Sequence, residues 1–515
     1  MCAWPKHPLI YEINTWVWLE ELGRRAAHPL TLASVPEEEW DRIASLGFDA
    51  VWLMGVWERS PEGIRISMGN DGLLGDFRRA LPDFRDRDNV GSPYCVRRYG
   101  VDAHLGGGGA LAVARGKLAD RGMLLILDFV PNHVAPDHAW VDEHPGYFLQ
   151  GTRDDLERDP RSFVSLGGRV FACGRDPYFP AWPDVLQLNA FDEGLRAAVI
   201  DTLTDIAGQC DGVRCDMAML VMNSVFERTW GSRAGARPGA DYWPRVIPAV
   251  KAIFPGFRFF AEAYWDLEWE LQQQGFDYCY DKRLYDRLVH DSGESVRLHL
   301  CADPGYQEGL VRFIENHDEP RAAAAFGPEK HRAAAVTVLT LPGARLVHEG
   351  QMGGRRVRLP VFLGRRPEER PDSGLLGFYH RLHEALRRGE FLRGTWRLCE
   401  RSGWPGDDSH RNLVSWCWQN GASRCLIVVN LSGGPSRGRV RVPMPDLIGR
   451  RWRLKDIFTS ATYDRLGDEM CIPGLYVDLP PWGVHFLTWS HGNRETVSTG
   501  LWTAIGNRHD PGGVT

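Results

Sequence analysis

The sequence predicts an α/β protein whose largest domain is a closed barrel of eight parallel strands. Short apolar, β-rich segments alternate with helical periodicity through the first three-quarters of the 515 residues, and eight such segments occur. Strands that alternate with helices form parallel sheets, and eight of them close into a (β/α)8 TIM barrel. The predicted strands are Leu9–Ile13, Ala50–Met54, Met123–Phe129, Gly212–Cys215, Phe257–Ala261, Asp277–Cys279, Val311–Ile314 and Ala344–Val347.

The segments between these strands have the helical period that a barrel requires. In Asp192–Gln209, apolar residues recur at helical spacing from Leu195 to Ile206, and the chain then reaches the strand that begins at Gly212. Hydrophobic residues make up 43% of the chain and charged residues 25%, which is typical of a globular protein. The length indicates more than one domain.

Two regions depart from the barrel pattern and predict further domains. Residues 132–188 are rich in Pro, Asp, Gly and aromatic residues and are too long for a simple loop, so we expect a small domain inserted after the third strand. The barrel then comprises 1–131 and 189–395, followed by an antiparallel β-sandwich at 396–490 and a polar tail at 491–515. The predicted sandwich strands include Leu413–Trp418, Cys425–Val429, Arg439–Val442 and Val484–Leu487.

Charge and cysteine content exclude several classes of partner. The net charge of -6 comes from 61 basic and 67 acidic residues without long blocks of one sign, which argues against nucleic acid and membrane partners. No apolar run is long enough to span a bilayer, and the N-terminus lacks a signal pattern, so we expect a cytoplasmic protein. The 11 cysteines contain no Cys-x-x-Cys pair and are expected to be reduced and mostly buried. The oligomeric state is left open.

Polar residues follow four of the predicted strands at the point where each strand ends. In TIM barrels the active site lies at the carboxyl ends of the strands, so these residues are the candidates for chemistry. Taken singly, each has an ordinary explanation, such as a turn or a structural ion pair, and their coincidence at four strand ends is what favours a site. The four groups are Asp128 with Asn132 and His133, Arg214 with Asp216, Glu262, and His317 with Asp318.

The residue types suggest distinct roles for the carboxylates. Arg214 and Asp216 are two residues apart on a strand and share one side, so the guanidinium is expected to lower the pKa of Asp216 and keep it ionised as a nucleophile. Glu262 ends an aromatic run, and apolar surroundings raise the pKa of a carboxyl group toward the range of a general acid. Asp318 and His317 could bind sugar hydroxyls and stabilise a developing positive charge.

These four segments resemble the four signature regions of the α-amylase superfamily of glycoside hydrolases, and they occur in the same order. The resemblance covers nearly the whole chain and includes the inserted domain and the C-terminal sandwich. It implies that Asp216 is the nucleophile, Glu262 the acid/base and Asp318 the transition-state stabiliser. The residues that it places around the cleaved sugar are Arg214, His133 and His317.

Further positions follow from the same resemblance. Tyr94, in Gly91-Ser92-Pro93-Tyr94, matches the segment that carries the aromatic platform under the sugar, and Asp128 matches a structural aspartate behind the site. Asn132 matches a position that often holds calcium, so a structural calcium ion is considered, although the reaction requires no cofactor. Met219 and Leu220 stand where many amylases have Lys-His, a pair that contacts the leaving sugar and supplies a carbonyl group to calcium.

The predicted activity is hydrolysis of α-glucosidic bonds in oligosaccharides or α-glucans with retention of configuration. A transglycosylase and a phosphate-using glycosyl transferase of the same superfamily remain alternatives, and a non-catalytic amylase-like binding protein is the alternative from another class. The phosphate alternative is motivated by a basic loop, Gly353–Arg358, that is followed by Arg365 and Arg366. An ion-paired or solvated surface is the ordinary explanation for that loop.

Overall fold

The computed structural model describes residues 3–491, so the predicted tail 491–515 lies outside the described residues except for its first position. Eight parallel strands close into a barrel in which each strand pairs with its neighbours in chain order, which confirms the predicted fold. We number them barrel strands 1 to 8. They are Leu9–Asn14, Ala50–Met54, Leu124–Phe129, Gly212–Cys215, Arg258–Ala261, Tyr278–Tyr280, Leu310–Arg312 and Ala344–His348.

Amphipathic helices surround the barrel and bury one face against it. The predicted helix is present as Glu193–Gln209, and the carboxylate of Asp192 caps it by accepting a hydrogen bond from the Leu195 N–H at 2.8 Å. Among residues 3–491, no helix is both long and apolar enough to cross a membrane. The helices of the barrel region are Thr15–Ala26, Glu37–Ser45, Pro61–Met68, Asp71–Ala80, Gly107–Asp120, Glu193–Gln209, Asn223–Trp230, Tyr242–Ile253, Glu268–Gln273, Lys282–His290, Gly293–His299, Pro304–Glu308, Ala322–Ala325, Pro328–Thr340 and Ser373–Arg388.

Six of the eight barrel strands differ from their predicted bounds: strands 1, 3, 5 and 8 differ by one residue at one end, and strands 6 and 7 differ at both ends. Barrel strand 7 is Leu310–Arg312 instead of Val311–Ile314, and barrel strand 6 is shifted by one residue. Phe313 and Ile314 are apolar and buried, but they lie beyond the last paired residues of the strand. For barrel strand 7, hydrophobicity therefore predicted the buried residues correctly but placed the end of the strand two residues beyond its last hydrogen-bonded pair.

Two excursions from the barrel carry strands of their own and cover the carboxyl ends of the barrel strands. After barrel strand 2, Trp57–Arg59 pairs with Val96–Val101, and Tyr94 lies just before the second of these. The sequence did not predict this pair. Between barrel strands 3 and 4 lies an antiparallel sheet with two short helices, Trp140–Glu143 and Arg153–Arg158; its strands are His133–Val134, Gln150–Gly151, Phe163–Leu166, Arg169–Gly174 and Trp182–Gln187.

The C-terminal region forms two antiparallel sheets around a shared apolar core, as predicted for a β-sandwich. Trp416 and Trp418 attach it to the barrel region, because their indole N–H groups donate to Oγ1 and the carbonyl oxygen of Thr340 at 3.2 and 2.8 Å. The six-stranded sheet contains Thr395–Leu398, Leu413–Asn420, Ser423–Asn430, Arg451–Asp456, Thr462–Leu466 and Val484–His491, and the three-stranded sheet contains Glu400–Ser402, Ser436–Arg441 and Leu475–Leu479.

Candidate active site

The three predicted carboxylates meet at the carboxyl ends of barrel strands 4, 5 and 7. Asp216, Glu262 and Asp318 line one cavity of about 330 Å³ together with Tyr94 and His133. Arg214 and His317 lie just behind this wall and are buried. The cavity lining also contains three residues that the sequence analysis missed: Trp182, which begins a strand of the inserted sheet, and Tyr264 and Phe362, which lie in loops.

Arg214 connects two of the carboxylates. Its Nη1 lies 2.7 Å from Oδ1 of Asp216 and its Nη2 lies 2.6 Å from Oε2 of Glu262, while only 1% of the Arg214 side chain is exposed. A buried guanidinium needs compensation for lost hydration, and the two carboxylates and nearby aromatic faces provide it. The rings within 6 Å of the guanidinium carbon are Trp52, Tyr94 and Tyr280.

Asp216 follows barrel strand 4 in a more apolar position than the sequence analysis assumed. Burial raises the pKa of Asp216, whereas the Arg214 guanidinium lowers it, and the net direction is upward from the usual range. The expectation that Arg214 would set a low pKa is therefore wrong in net direction, because desolvation outweighs the ion pair. The guanidinium still favours the ionised carboxylate relative to the same buried position without it.

Glu262 has the environment expected of a general acid/base. Burial is the largest influence and raises the pKa of Glu262 to about 7, with Arg214 acting in the opposite direction. Its Oε2 accepts a hydrogen bond from the Met217 N–H at 2.7 Å, and its Oε1 accepts one from the Tyr264 hydroxyl at 2.8 Å. Met217 adopts a left-handed backbone conformation with φ of 41°, which is strained for a non-glycine residue, directly after Asp216.

His317 lies between two carboxylates. Its Nδ1 lies 2.5 Å from Oε1 of Glu12, and its Nε2 lies 2.9 Å from Oδ2 of Asp318 and 2.7 Å from the hydroxyl of Tyr94. Burial lowers the pKa of His317, but Asp318 and Glu12 together raise it well above the usual range. His317 is therefore a cation at neutral pH, and the carboxylates hold it in one orientation.

Asp318 is the most solvent-accessible of the three carboxylates, with 40% of its side chain exposed. Burial of part of the group raises its pKa, but His317 outweighs this effect and shifts the pKa of Asp318 below its usual range. Solvent screening weakens both effects at this exposure. Asp318 thus stays ionised under conditions in which Glu262 is partly protonated.

His133 and Asp128 support the same cavity from the end of barrel strand 3. Burial lowers the pKa of His133 to about 4, so this imidazole is neutral at pH 7 and can donate or accept hydrogen bonds. Asp128 is buried, and this raises its pKa to about 6; its Oδ2 accepts from the Gly55 N–H at 3.2 Å and its Oδ1 lies 3.8 Å from Nη1 of Arg214. Asp128 faces the back of Arg214 and does not line the cavity.

Glu12 is a functional candidate that the sequence analysis did not identify. It lies within barrel strand 1, is fully buried, and its Oε2 has no hydrogen-bond partner in the described residues. A buried carboxylate without an arginine or lysine partner needs another cation, and His317 is that cation. The signal in the sequence was a single acidic residue between the apolar residues Tyr11 and Ile13 of the strand Leu9–Asn14.

Asn132, considered as a calcium ligand, does not fit that role. Its Oδ1 already accepts a hydrogen bond from Nε2 of Gln187 at 2.9 Å, and the same amide nitrogen lies 3.0 Å from the carbonyl oxygens of Asn132 and Leu188. Gln187 is fully buried, so an amide group occupies the centre of these oxygens. Within residues 3–491, no group of three or more His, Cys, Asp and Glu side chains could hold a metal ion.

The basic loop after barrel strand 8 is largely ion-paired. Arg355 lies 3.1 Å from Glu21 and Arg365 lies 2.7 Å from Asp88, while Arg366 pairs with Glu349. Each of these cations therefore has an acidic partner and does not form a free anion site. Arg356 and Arg358 of this loop are exposed: Nη1 of Arg356 donates to the Ala323 carbonyl oxygen at 2.7 Å, and Arg358 contributes to lowering the pKa of Asp318.

Met219 and Leu220, which replace the Lys-His pair, are buried in a short 3-10 turn, Ala218–Val221, and line none of the cavities described here. They act as core residues.

Beside the first cavity lies a second of about 460 Å³ that shares Met217 and Tyr264 with it. A further cavity of about 610 Å³ beside Trp140 is lined by none of the predicted site residues.

The fold and the site together define a (β/α)8-barrel protein with an Asp, a Glu and an Asp at the ends of barrel strands 4, 5 and 7. Comparisons with known proteins agree with this class. The chain is similar to the α-amylase MalA of Haloarcula japonica, with 25% identity over 366 residues that cover 69% of this chain and 45% of the relative. No family model matches the chain.

A second curated relative is the α-1,4-glucan:maltose-1-phosphate maltosyltransferase of Arcanobacterium haemolyticum, with 30% identity over 135 residues, or 24% of this chain and 18% of the relative. The chain spans less than half the length of both curated relatives that it matches. The structure resembles that of the maltogenic α-amylase AmyB from Thermotoga neapolitana, with a TM-score of 0.67, 19% identity and coverage of 95% of this chain and 99% of that chain. The predicted resemblance to the α-amylase superfamily is confirmed.

Proposed function

We propose that the protein is a retaining glycoside hydrolase that cleaves α-glucosidic bonds of oligosaccharides or α-glucans. One observation carries this proposal: two carboxylates around one guanidinium, Asp216 and Glu262, line the same cavity, and Glu262 has a pKa of about 7. At neutral pH such a group is divided between its acid and base forms, which suits a residue that must first donate a proton and later accept one.

In the first step Glu262 donates its proton to the glycosidic oxygen while an oxygen of Asp216 forms a bond to the anomeric carbon. The electron pair of the cleaved bond stays on the leaving oxygen, which departs as a hydroxyl group. Asp318 and the Tyr94 ring lie beside the sugar, where they stabilise the positive charge that develops at its anomeric carbon. Neutral His133 lines the cavity and can hydrogen-bond the ring, whereas charged His317 lies behind the wall and holds Asp318 and the Tyr94 hydroxyl in place.

In the second step the ionised Glu262 takes a proton from water, and the resulting hydroxide oxygen attacks the anomeric carbon and releases Asp216. Two inversions give net retention of configuration. The second cavity supplies room for an acceptor other than water, and part of the chain is similar to a maltosyltransferase, so transfer to a sugar hydroxyl is the second candidate reaction. The ion pairs of Arg355, Arg365 and Arg366 count against phosphate as the acceptor.

Product analysis tests this proposal. The protein is incubated with maltooligosaccharides, sucrose and trehalose, with and without inorganic phosphate, and products are separated by chromatography while NMR follows the first anomer released. We expect shorter α-glucosides whose first-formed anomer is α, and loss of almost all turnover in Asp216→Asn. Full activity of Asp216→Asn, or a β anomer as the first product, would refute the mechanism; absence of any turnover would favour a binding protein.

The proposal includes no metal and no organic cofactor. Asn132 serves as a structural residue that Gln187 anchors, and α-glucoside oligosaccharides are the partners that the cavity is suited to bind. A reducing compartment, the cytoplasm, is supported by the ten cysteines within residues 3–491, all of which are unpaired thiols and nine of which are buried.

A further inference from the structure

The two oxygens of Glu262 have partners of different chemistry. Oε2 lies 2.6 Å from Nη2 of Arg214 and accepts a hydrogen bond from the Met217 N–H. Guanidinium and backbone N–H groups only donate hydrogen bonds. Oε1 interacts with the hydroxyl of Tyr264 at 2.8 Å, and a phenol hydroxyl can donate or accept.

This difference decides which oxygen carries the proton of the neutral acid. A proton on Oε2 would point at two donors, leave them without an acceptor and face a positive charge. A proton on Oε1 meets the Tyr264 oxygen, which can accept it after the hydroxyl rotates. The neutral form of Glu262 is therefore protonated on Oε1, and Oε2 remains an acceptor in both protonation states.

Tyr264 also lies at the boundary between the two cavities. It lines the first cavity with Asp216 and the second with Trp265 and Phe179. Phe179 is 65% exposed, and Trp265 adopts a left-handed conformation with φ of 63°. A saccharide whose cleaved bond lies at Oε1 would place its leaving sugar beyond Tyr264, in a cleft whose exposed aromatic faces suit the apolar faces of a sugar ring.

We propose that Tyr264 is a positioning residue that keeps the transferable proton of Glu262 on Oε1, at the entrance to the second cavity where the leaving sugar departs and the acceptor enters. The inference rests on the proposed hydrolase function. In the proton transfer, the Oε1–H bond breaks, the new O–H bond forms on the glycosidic oxygen, and that oxygen replaces the Tyr264 hydroxyl as the acceptor. The Tyr264 hydroxyl then donates to ionised Oε1.

Tyr264→Phe removes only the hydroxyl and tests the assignment. Two substrates are compared: maltotriose, whose leaving group needs a proton, and α-maltosyl fluoride, whose fluoride leaves without one. We expect kcat/KM for maltotriose to fall about tenfold or more, since hydrogen bonds to charged groups are worth this much, and kcat/KM for the fluoride to fall much less. Loss of a donor to the ionised carboxylate also raises the pKa of Glu262, so the alkaline limb of the maltotriose profile should move to higher pH.

The matched control is Tyr242→Phe, which removes the hydroxyl of a fully buried tyrosine that lines neither cavity. It should leave both substrates and the pH profile unchanged. In a Glu262→Gln background, addition of Tyr264→Phe should cost little, because the proton that it positions is gone. This double variant separates positioning from general loss of structure.

Equal losses for the two substrates, or an unmoved alkaline limb, would overturn the role of Tyr264. That outcome differs from failure of the proposed function, because in the latter case the wild-type protein itself converts neither maltotriose nor α-maltosyl fluoride.

Discussion

Glu12→Gln tests whether a carboxylate inside the barrel keeps His317 charged and holds His317 and Asp318 in their positions at the site. The substitution preserves shape and removes one charge from a fully buried position that contacts Nδ1 of His317 at 2.5 Å. A hydrogen bond to a charged group contributes about 1.5–3 kcal/mol. If that contact holds His317 and Asp318 in their reactive positions, kcat/KM should fall about tenfold to a hundredfold, since 1.4 kcal/mol corresponds to a factor of ten.

The pH dependence gives a second readout with a defined sign. Glu12 and Asp318 raise the pKa of His317, so loss of Glu12 lets His317 lose its proton at a lower pH. The alkaline limb of kcat/KM should therefore move to lower pH in Glu12→Gln. α-Maltosyl fluoride is the substrate to use, because its first step does not need the proton of Glu262. With this substrate the deprotonation of Glu262 does not produce an alkaline limb, so the deprotonation of His317 can be seen in the pH profile of kcat/KM.

Asp456→Asn is a matched control in the C-terminal sandwich. Asp456 is also fully buried and contacts a histidine, with its Oδ2 2.8 Å from Nδ1 of His485, but it lies far outside the site. It should change stability and leave the kinetic profile intact. Wild-type kcat/KM and an unmoved alkaline limb in Glu12→Gln would refute the reasoning that Glu12 keeps His317 charged.

Three further results are expected. With maltotriose, the alkaline limb of kcat/KM for the wild-type protein should lie near pH 7, the pKa to which burial raises Glu262, and a limb above pH 9 would contradict this assignment. Gln187→Leu should lower the free energy of unfolding by about 1–3 kcal/mol, because the buried oxygens of Asn132 lose their hydrogen-bond donor. Since Gln187 and not calcium holds these oxygens, EDTA should leave the urea midpoint of the wild-type protein unchanged. Gly343→Ala should destabilise by about 3 kcal/mol, because Gly343 has φ of 98° and an added Cβ would lie 2.3 Å from the Leu310 carbonyl oxygen; Gly116→Ala, at an open helical position, should not lower the urea midpoint.

Much of the architecture could be predicted from local patterns. The run Ala50–Met54, and Gly212–Cys215 apart from Arg214, are apolar because both faces of a barrel strand are buried, and the bounds of both match the prediction. The end of barrel strand 7 could not be predicted as well, since side-chain hydrophobicity continues past its last paired backbone group, and barrel strand 6 is displaced by one residue from its predicted bounds. The strand pair next to Tyr94 was missed because its first strand has only three residues and its register is irregular.

The sequence by itself determined which carboxylates lie at strand ends and in what order. Each of them follows an apolar strand, and such a strand can be recognised from a short stretch of sequence alone. The raised pKa of Glu262 was also expected from its aromatic run, whereas only the tertiary structure decided the electrostatics of Asp216 and His317. Desolvation, which depends on the residues packed around a group, reversed the expected shift of Asp216, and contacts between distant segments joined Glu12 to His317 and Gln187 to Asn132. Local patterns place side chains at the end of a strand, whereas burial and long-range contacts determine which protons they hold.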